Sequence, residues 1–213
     1  MQYQVRQFNL PTLTGISEKQ IKVHLGLYEG YVKHVNLIAE KLKAVREGSL
    51  ELDPYIVAEL RRRYAFEFDG MRMHEYYFEQ FEGGSTSFDK TQDKALTTTA
   101  ALGNAAVEKY GSWDGFIAHI KEVAGTRGIG WVVVYFDPIG NGSTALTTGV
   151  LHTVFVGDHE LGQLAGLPVI LALDLWEHAY MVDYVPAEKK SYVDAFLSNL
   201  NWAVVEKRFD QTK

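Results

Sequence analysis

Segment 173–180, with the sequence LDLWEHAY, constrains this chain most because it follows a strand-like apolar run with side chains that can bind a metal. The run at 169–173 is typical of a buried strand, and Asp174 closes it. His178 follows in the first turn of a predicted helix, so a carboxylate and an imidazole can converge on one point. A buried ion pair or an N-capping aspartate is the alternative, and the spacing alone favours that alternative.

The composition allows a sizeable core and excludes several chemistries. The chain has 213 residues, of which 46% are hydrophobic and none is cysteine. A chain of this length builds one domain or two small lobes that share a site. Without cysteine, disulfides, zinc-thiolate sites, iron–sulfur clusters and thiol catalysis are excluded, and His, Asp and Glu remain as metal ligands.

The charge pattern argues against nucleic-acid and membrane partners. The formal net charge is -6, and the 21 Lys and Arg residues are scattered along the chain. No basic cluster is present, no apolar run follows a basic N-terminus, and no stretch reaches membrane-spanning length. We therefore expect a cytoplasmic enzyme that attracts an anionic substrate only through local charges.

Hydrophobic periodicity predicts a helical first half. A capping box at 17–20 begins a long helix that ends near Arg46. An N-cap and a first-turn proline begin a shorter helix at 53–64, and a third helix is predicted at 70–81. Glycines and polar residues then interrupt the pattern, so we place the boundary of an N-terminal helical domain at 1–86.

The second half, 87–213, mixes helices and strands, which makes the predicted fold class α+β. Glycines and N-caps separate the helices, and β-branched and aromatic runs mark the strands. The predicted helices are 93–110, 112–123 and 199–208, and the predicted strands are 131–136, 144–155 and 168–173.

The motif D-x-W-E-H-A-Y at 174–180 resembles the metal-binding signature of the iron/manganese superoxide dismutase family. Two other histidines stand in matching contexts and in family order: His24, seven residues before Tyr31, and His74, which aromatic residues follow. A lone histidine on an apolar helix face is more often a core residue than a ligand. The three matches together favour metal binding, and the resemblance covers nearly the whole chain.

The resemblance implies a fold, a site and a reaction. The fold would be an N-terminal helical hairpin domain followed by a C-terminal α/β domain, whose three-stranded antiparallel sheet is flanked by helices. Between the domains, His24, His74, Asp174 and His178 would bind one Fe or Mn ion per subunit. The enzyme would disproportionate superoxide to dioxygen and hydrogen peroxide as this ion cycles between M(III) and M(II).

The resemblance also assigns the residues around the metal. Tyr31 matches the family's gateway tyrosine in the substrate funnel. Glu177 would bond the ligand histidine of a second subunit, and Tyr180 would join the same interface, which implies a homodimer with a homotetramer as the alternative. Trp131 and Trp176 would line the site, although large aromatic residues usually serve the core first.

His152 is predicted to hydrogen-bond the solvent at the metal. Family members supply a Gln or His for this purpose either four residues before the second ligand, which is Gly70 here, or from the middle strand, where His152 is the candidate. A strand histidine that faces solvent is the alternative. We expect His34, His119 and His159 to be surface or structural residues.

Two features depart from the family pattern. The spacing of His24 and Tyr31 is one residue shorter than usual, so Tyr28 would fill the space of an additional gate histidine. The usual funnel arginine is missing, and Lys189 or Lys190 could supply its charge, although solvated surface lysines are the stronger interpretation.

Two other functions stay open from the sequence. A non-haem iron oxygenase or hydrolase would use two histidines and one carboxylate and keep positions open for its substrates, whereas a fourth protein ligand leaves less room. A protein with a purely structural metal is the other alternative, against which the retained Tyr31 and Glu177 argue. The sequence does not distinguish iron from manganese.

Overall fold

A helical hairpin and a three-stranded sheet flanked by helices form the computed structural model, which describes residues 2–88, 101–138 and 149–212. The predicted α+β class is confirmed. The helices and strands, in chain order, are α1 Glu18–Arg46, α2 Pro54–Glu79, α3 Ala101–Tyr110, α4 Trp113–Ala124, β1 Gly130–Asp137, β2 Val150–Gly157, β3 Val169–Asp174, α5 Lys189–Asn199 and α6 Trp202–Asp210.

Helix α1 begins where its capping residues predict. The Ser17 hydroxyl accepts a hydrogen bond of 3.0 Å from the backbone N–H of Gln20, which satisfies one of the free donors of the first turn. His24, Tyr28 and Val32 recur every four residues on the buried face. This spacing turns the histidine toward the interior, together with the apolar side chains that pack on α2.

Helix α2 corrects the prediction of two separate helices, because it is continuous from Pro54 to Glu79. Gly70, at which the third predicted helix (70–81) was expected to begin, lies inside α2. A Cβ atom at Gly70 would lie 2.7 Å from ring carbons of Tyr31 on α1. The glycine therefore permits the close approach of the two helices and does not interrupt α2.

The sheet has the order β2-β1-β3, and both strand pairs are antiparallel. The central strand β1 is buried along almost its whole length, as its continuous apolar sequence predicts. Its register sets Trp131 opposite Asp174 on β3. The predicted beginnings of the helix at 93 and of the strand at 144 lie outside the described residues.

The segment that carries His178 differs from the prediction. It forms a single 3₁₀ turn, Glu177–Ala179, and not the first turn of a longer helix. The buried side chain of Gln20 donates to the carbonyl of His178 at 2.6 Å and accepts from the N–H of Val182 at 2.9 Å. These bonds occupy backbone groups that a longer helix would need, and the sequence pattern does not reveal them.

The chain after this turn also differs from the prediction. Pro186 begins a second 3₁₀ turn, Pro186–Glu188, which leads into α5, a helix that the sequence analysis did not identify. The last predicted helix is present as α6, where the Asn201 side chain accepts from the N–H of Ala203. Within the described ranges, no helix combines the length and apolar character needed to cross a membrane.

Candidate metal centre

All four predicted ligands meet at one point. His24 comes from α1, His74 from α2, Asp174 from the end of β3 and His178 from the 3₁₀ turn, and one donor atom from each lies within 4.8 Å of the others. The Oδ2 atom of Asp174 lies 3.0 Å from Nε2 of His24, 3.3 Å from Nε2 of His178 and 3.6 Å from Nε2 of His74. The side chain of His178 is 17% exposed, and the other three are fully buried.

Neighbouring groups bond the Oδ1 atom and the backbone carbonyl of Asp174, so that its Oδ2 atom is available to the cluster. The backbone N–H of Trp176 donates to Oδ1 of Asp174 at 2.8 Å, and the Tyr192 hydroxyl donates to its backbone carbonyl at 2.9 Å. Tyr77 touches the Tyr192 hydroxyl at 3.2 Å. The carboxylate therefore has one oxygen tied to the backbone and one that faces the three imidazoles, which suits monodentate metal binding.

His74 is oriented by its own helix. Its Nδ1 atom lies 2.6 Å from the carbonyl oxygen of Gly70, so Nδ1 carries the proton and donates it. The other ring nitrogen, Nε2, is buried and has no hydrogen-bond partner among the described residues. A buried nitrogen lone pair that points into a cluster of donors is the arrangement that a metal ion satisfies.

The electrostatics of the cluster also fit a metal ion. Burial lowers the pKa of both His24 and His74, that of His74 well below its ordinary value, so both imidazoles are neutral at neutral pH. Burial alone would raise the pKa of Asp174, but the interactions with His178 and His24 outweigh it and lower that pKa. Ligands must be deprotonated to bind, and imidazole with carboxylate suits Fe and Mn.

Aromatic rings pack around the cluster, and Trp131 and Trp176 are among them. Trp131 packs its ring edge against His74 with centroids 5.2 Å apart, and Trp176 stacks on His178 at 5.6 Å. Phe78 lies 4.9 Å from the ring of His24. These rings keep bulk water from the donor atoms.

Tyr31 belongs to a hydrogen-bonded chain with His159, a residue that we expected to be surface or structural. Nε2 of His159 lies 2.8 Å from the Tyr31 hydroxyl, and the indole N–H of Trp131 donates to Nδ1 of His159 at 2.9 Å. Because an indole nitrogen can only donate, Nδ1 accepts, and a neutral His159 carries its proton on Nε2. Burial lowers the pKa of His159 to about 4, which keeps the ring neutral.

The structure places His159, and not His152, beside Tyr31. His152 lies on β2 opposite Tyr135, which is four residues from Trp131 along β1, roughly 13 Å away at the usual rise per residue. The chain reverses after β2, where Gly157 donates to the carbonyl of Leu161 and Asp158 has a φ of 51°. This reversal brings His159 to the cluster. A signal for it was the Asp-His-Glu triplet at 158–160, which begins three positions after the end of the predicted strand.

Other predicted residues lie outside the cluster. The Tyr28 hydroxyl accepts from the N–H of Arg6 at 2.9 Å and contacts Glu75 at 3.1 Å. Its hydroxyl is thus bonded to these two residues and does not fill the space of the additional gate histidine. Glu177 is exposed, whereas Tyr180 is buried and stacks on Tyr192 with centroids 5.2 Å apart.

The fold and the site together define a class of protein. Three imidazoles and one carboxylate, enclosed by aromatic rings between a helical hairpin and a small antiparallel sheet, form a cluster able to bind one metal ion, as in a metal-dependent enzyme. The predicted ligand set is thus assembled in space, and two of its ring nitrogens, Nδ1 of His24 and Nε2 of His74, have no hydrogen-bond partner in the described part of the chain.

Comparison with known proteins identifies the family. Residues 98–208 match the C-terminal domain of iron/manganese superoxide dismutases. The chain is 33% identical to a superoxide dismutase [Fe] of Cupriavidus metallidurans over 199 residues, which cover 92% of this chain and 90% of the relative. It is 29% identical to a superoxide dismutase [Fe] of Saccharolobus solfataricus over 221 residues, covering 99% and 97%. A superoxide dismutase [Mn/Fe] of Aeropyrum pernix is 30% identical over 203 residues, covering 92% and 84%.

The chain belongs to the iron/manganese superoxide dismutase family. The predicted family and the predicted class, a metal-dependent oxidoreductase, are confirmed.

Proposed function

We propose that this protein disproportionates superoxide to dioxygen and hydrogen peroxide, and that His24, His74, Asp174 and His178 hold its single Fe or Mn ion. The observation that carries the proposal is the convergence of these four donor atoms within 4.8 Å, from four separate elements of the fold. The relatives' names include both [Fe] and [Mn/Fe], so the proposal covers either metal.

The bound ion would supply the redox chemistry, and the chain supplies the ligands, the dry surroundings and a positioned hydroxyl. Peroxide formation consumes two protons, whose source is solvent; the Tyr31 hydroxyl, which His159 orients, can pass one toward the cluster and regain it from solvent, because Tyr31 is only partly buried. His159 donates from Nε2 to the Tyr31 oxygen, which frees the Tyr31 hydroxyl proton to point toward the cluster. Burial, with smaller contributions from Asp174 and Glu67, raises the pKa of Tyr31, so that this hydroxyl stays protonated at neutral pH.

The two halves of the chain contribute equally to this site. Two of the proposed ligands come from 1–86 and two from 87–213, and the boundary that we propose falls between these segments. Near it, the backbone N–H of Thr86 donates to the carbonyl of Leu200 at 3.1 Å. Separation of the halves would thus dismantle the ligand set. A cytoplasmic location stays a prediction from the composition.

A homodimer accounts for the position of Glu177. This side chain is exposed and has no hydrogen bond or ion pair among the described residues, although it directly precedes a proposed ligand, His178. A carboxylate beside a metal-binding imidazole is available to bond the same histidine of a second subunit. Glu177 and Tyr180 would then lie in the interface, and a tetramer is the alternative assembly.

We expect Glu177→Ala to weaken the dimer, because each subunit would lose a carboxylate that bonds its partner's imidazole. Sedimentation velocity over a dilution series should show dissociation at a higher protein concentration than for the wild type. Glu122→Ala is the control, since the Glu122 side chain is 77% exposed and pairs with His119 of its own helix. A dimer that resists dilution equally in both variants would contradict the cross-subunit bond.

Separate loading with Fe, Mn and Zn tests the function itself. We expect the Fe or the Mn form, or both, to remove superoxide generated by xanthine oxidase, and the Zn form to be inactive because zinc has no redox chemistry. Metal content is measured by elemental analysis in each sample. Fully occupied Fe and Mn forms that leave superoxide untouched would favour a structural metal or a different non-haem iron enzyme.

A further inference from the structure

A cationic side chain, that of Arg63, packs on an aromatic ring next to Tyr31. Arg63 lies on α2, and its guanidinium carbon is 4.0 Å from the centroid of the Phe66 ring. Phe66 in turn lies 4.6 Å from the ring of His159 and 6.3 Å from the ring of Tyr31. A single aromatic ring therefore separates the positive charge from both residues of the hydrogen-bonded chain.

The guanidinium is held in place by a buried carboxylate. Nε of Arg63 lies 2.7 Å from Oε1 of Glu67, and the side chain of Glu67 is only 3% exposed, whereas that of Arg63 is 43% exposed. His34 approaches the same carboxylate oxygen at 3.5 Å. Since the negative group lies inside and the positive group outside, an anion that arrives from solvent meets the guanidinium first.

The charge of Arg63 reaches the site. Burial is the main cause of the raised pKa of Tyr31 and of the lowered pKa of His159, and Arg63 acts on both groups by lowering their pKa. Glu67 opposes this effect at Tyr31. Of the two lysines considered for such a role, Lys189 donates to the carbonyl of Thr126 at 3.0 Å, and Lys190 is exposed, in line with the interpretation of both as surface lysines.

We propose that Arg63 guides the superoxide anion toward Tyr31 and Phe66, which are only partly buried, and so raises the rate of its capture. This inference rests on the proposed function. A protein with a net charge of -6 repels anions at long range, so a local positive charge at the site must overcome that repulsion. The Phe66 ring and the Glu67 carboxylate restrict the guanidinium to one place and leave its outer face to solvent.

Arg63→Gln and Arg61→Gln form a matched pair of variants that tests the proposed role of Arg63. Both remove one positive charge from the same helix, but the two positions point about 160° apart around its axis, and Arg61 is exposed. We expect Arg63→Gln to lower kcat/KM per bound metal roughly three- to tenfold at low ionic strength, a part of the roughly 10- to 1,000-fold effect of a whole charged surface. Its kcat/KM should also depend less on salt, while Arg61→Gln should behave like the wild type.

Binding of azide to the metal-loaded protein gives a second readout that does not involve turnover. Spectroscopic titration should show weaker azide binding in Arg63→Gln than in Arg61→Gln, and Arg63→Lys should restore most of the affinity because it retains the charge. In the double variant Arg63→Gln/Glu67→Gln neither partner is charged, so a loss caused only by the unpaired carboxylate would disappear. We expect the lower kcat/KM to persist there.

The outcomes separate the inference from the proposed function. A wild type that is fully metallated and inactive contradicts the function. If the wild type is active but kcat/KM of Arg63→Gln and Arg61→Gln has the same salt dependence, and both bind azide equally well, only the proposed role of Arg63 is contradicted. Full recovery in the double variant overturns it as well, since it would make Arg63 only a structural partner of Glu67.

Discussion

Asp174→Asn is expected to leave a folded protein that no longer retains its metal and no longer removes superoxide. Asn has nearly the shape of Asp, and its side-chain oxygen can still accept the bond from the N–H of Trp176. It lacks the negative charge that faces three imidazoles at 3.0, 3.3 and 3.6 Å. Substitution of a residue that only hydrogen-bonds a ligand weakens metal binding about 10- to 100-fold. Loss of the charged ligand itself should weaken it more.

Elemental analysis of purified samples measures this loss, and circular dichroism checks the fold. Asp194→Asn is the matched control, because Asp194 is a 61% exposed carboxylate that pairs with Lys121 and takes no part in the cluster. The control should retain both metal and activity. Unchanged metal content in Asp174→Asn would remove this residue from the proposed ligand set.

Opposite changes in stability are expected when two helical glycines are replaced by alanine. At Gly70 the new Cβ atom would lie 2.7 Å from the Tyr31 ring, so α1 and α2 must separate or the tyrosine must move. Overpacking of this kind costs about 1–3 kcal/mol. At Gly26 on α1 nothing lies within 4 Å of the added atom, and alanine should stabilise the helix by about 0.5–1 kcal/mol.

Urea denaturation of metal-loaded protein measures both changes in the free energy of unfolding. Gly70→Ala should also lower the superoxide dismutase activity, because displacement of Tyr31 breaks its 2.8 Å contact with His159. Gly26→Ala should leave the activity unchanged. If both variants were equally stable, the close approach at Gly70 would have no energetic consequence.

The proposed ligands could be predicted because their signals are local. Asp174 and His178 share one short motif at the end of a strand, and the periodicity of α1 alone turns His24 toward the core. Capping also acts over a few residues, which is why Ser17 and Ser112 mark the first turns of α1 and α4 correctly. Short-range chemistry of this kind depends little on the rest of the fold.

Predictions that depended on long-range contacts were less successful. Gly70 resembled a helix boundary, yet its lack of a side chain serves contact with Tyr31, which lies 39 positions earlier. His152 was predicted to bond the solvent at the metal, but the strand register places it opposite Tyr135, and the reversal after Gly157 brings His159 beside Tyr31. No spacing rule within a single strand contains that information.

The sequence by itself therefore determined the α+β class and α1 through local periodicity and caps, and, through motifs that resemble those of a known family, the four side chains able to hold a metal. Only the tertiary structure decided which histidine reaches Tyr31, where Arg63 lies, and that His178 stands on a single 3₁₀ turn bonded by Gln20. The physical reason is that packing and hydrogen bonds between distant segments compete with local preference, and their outcome depends on where the elements meet.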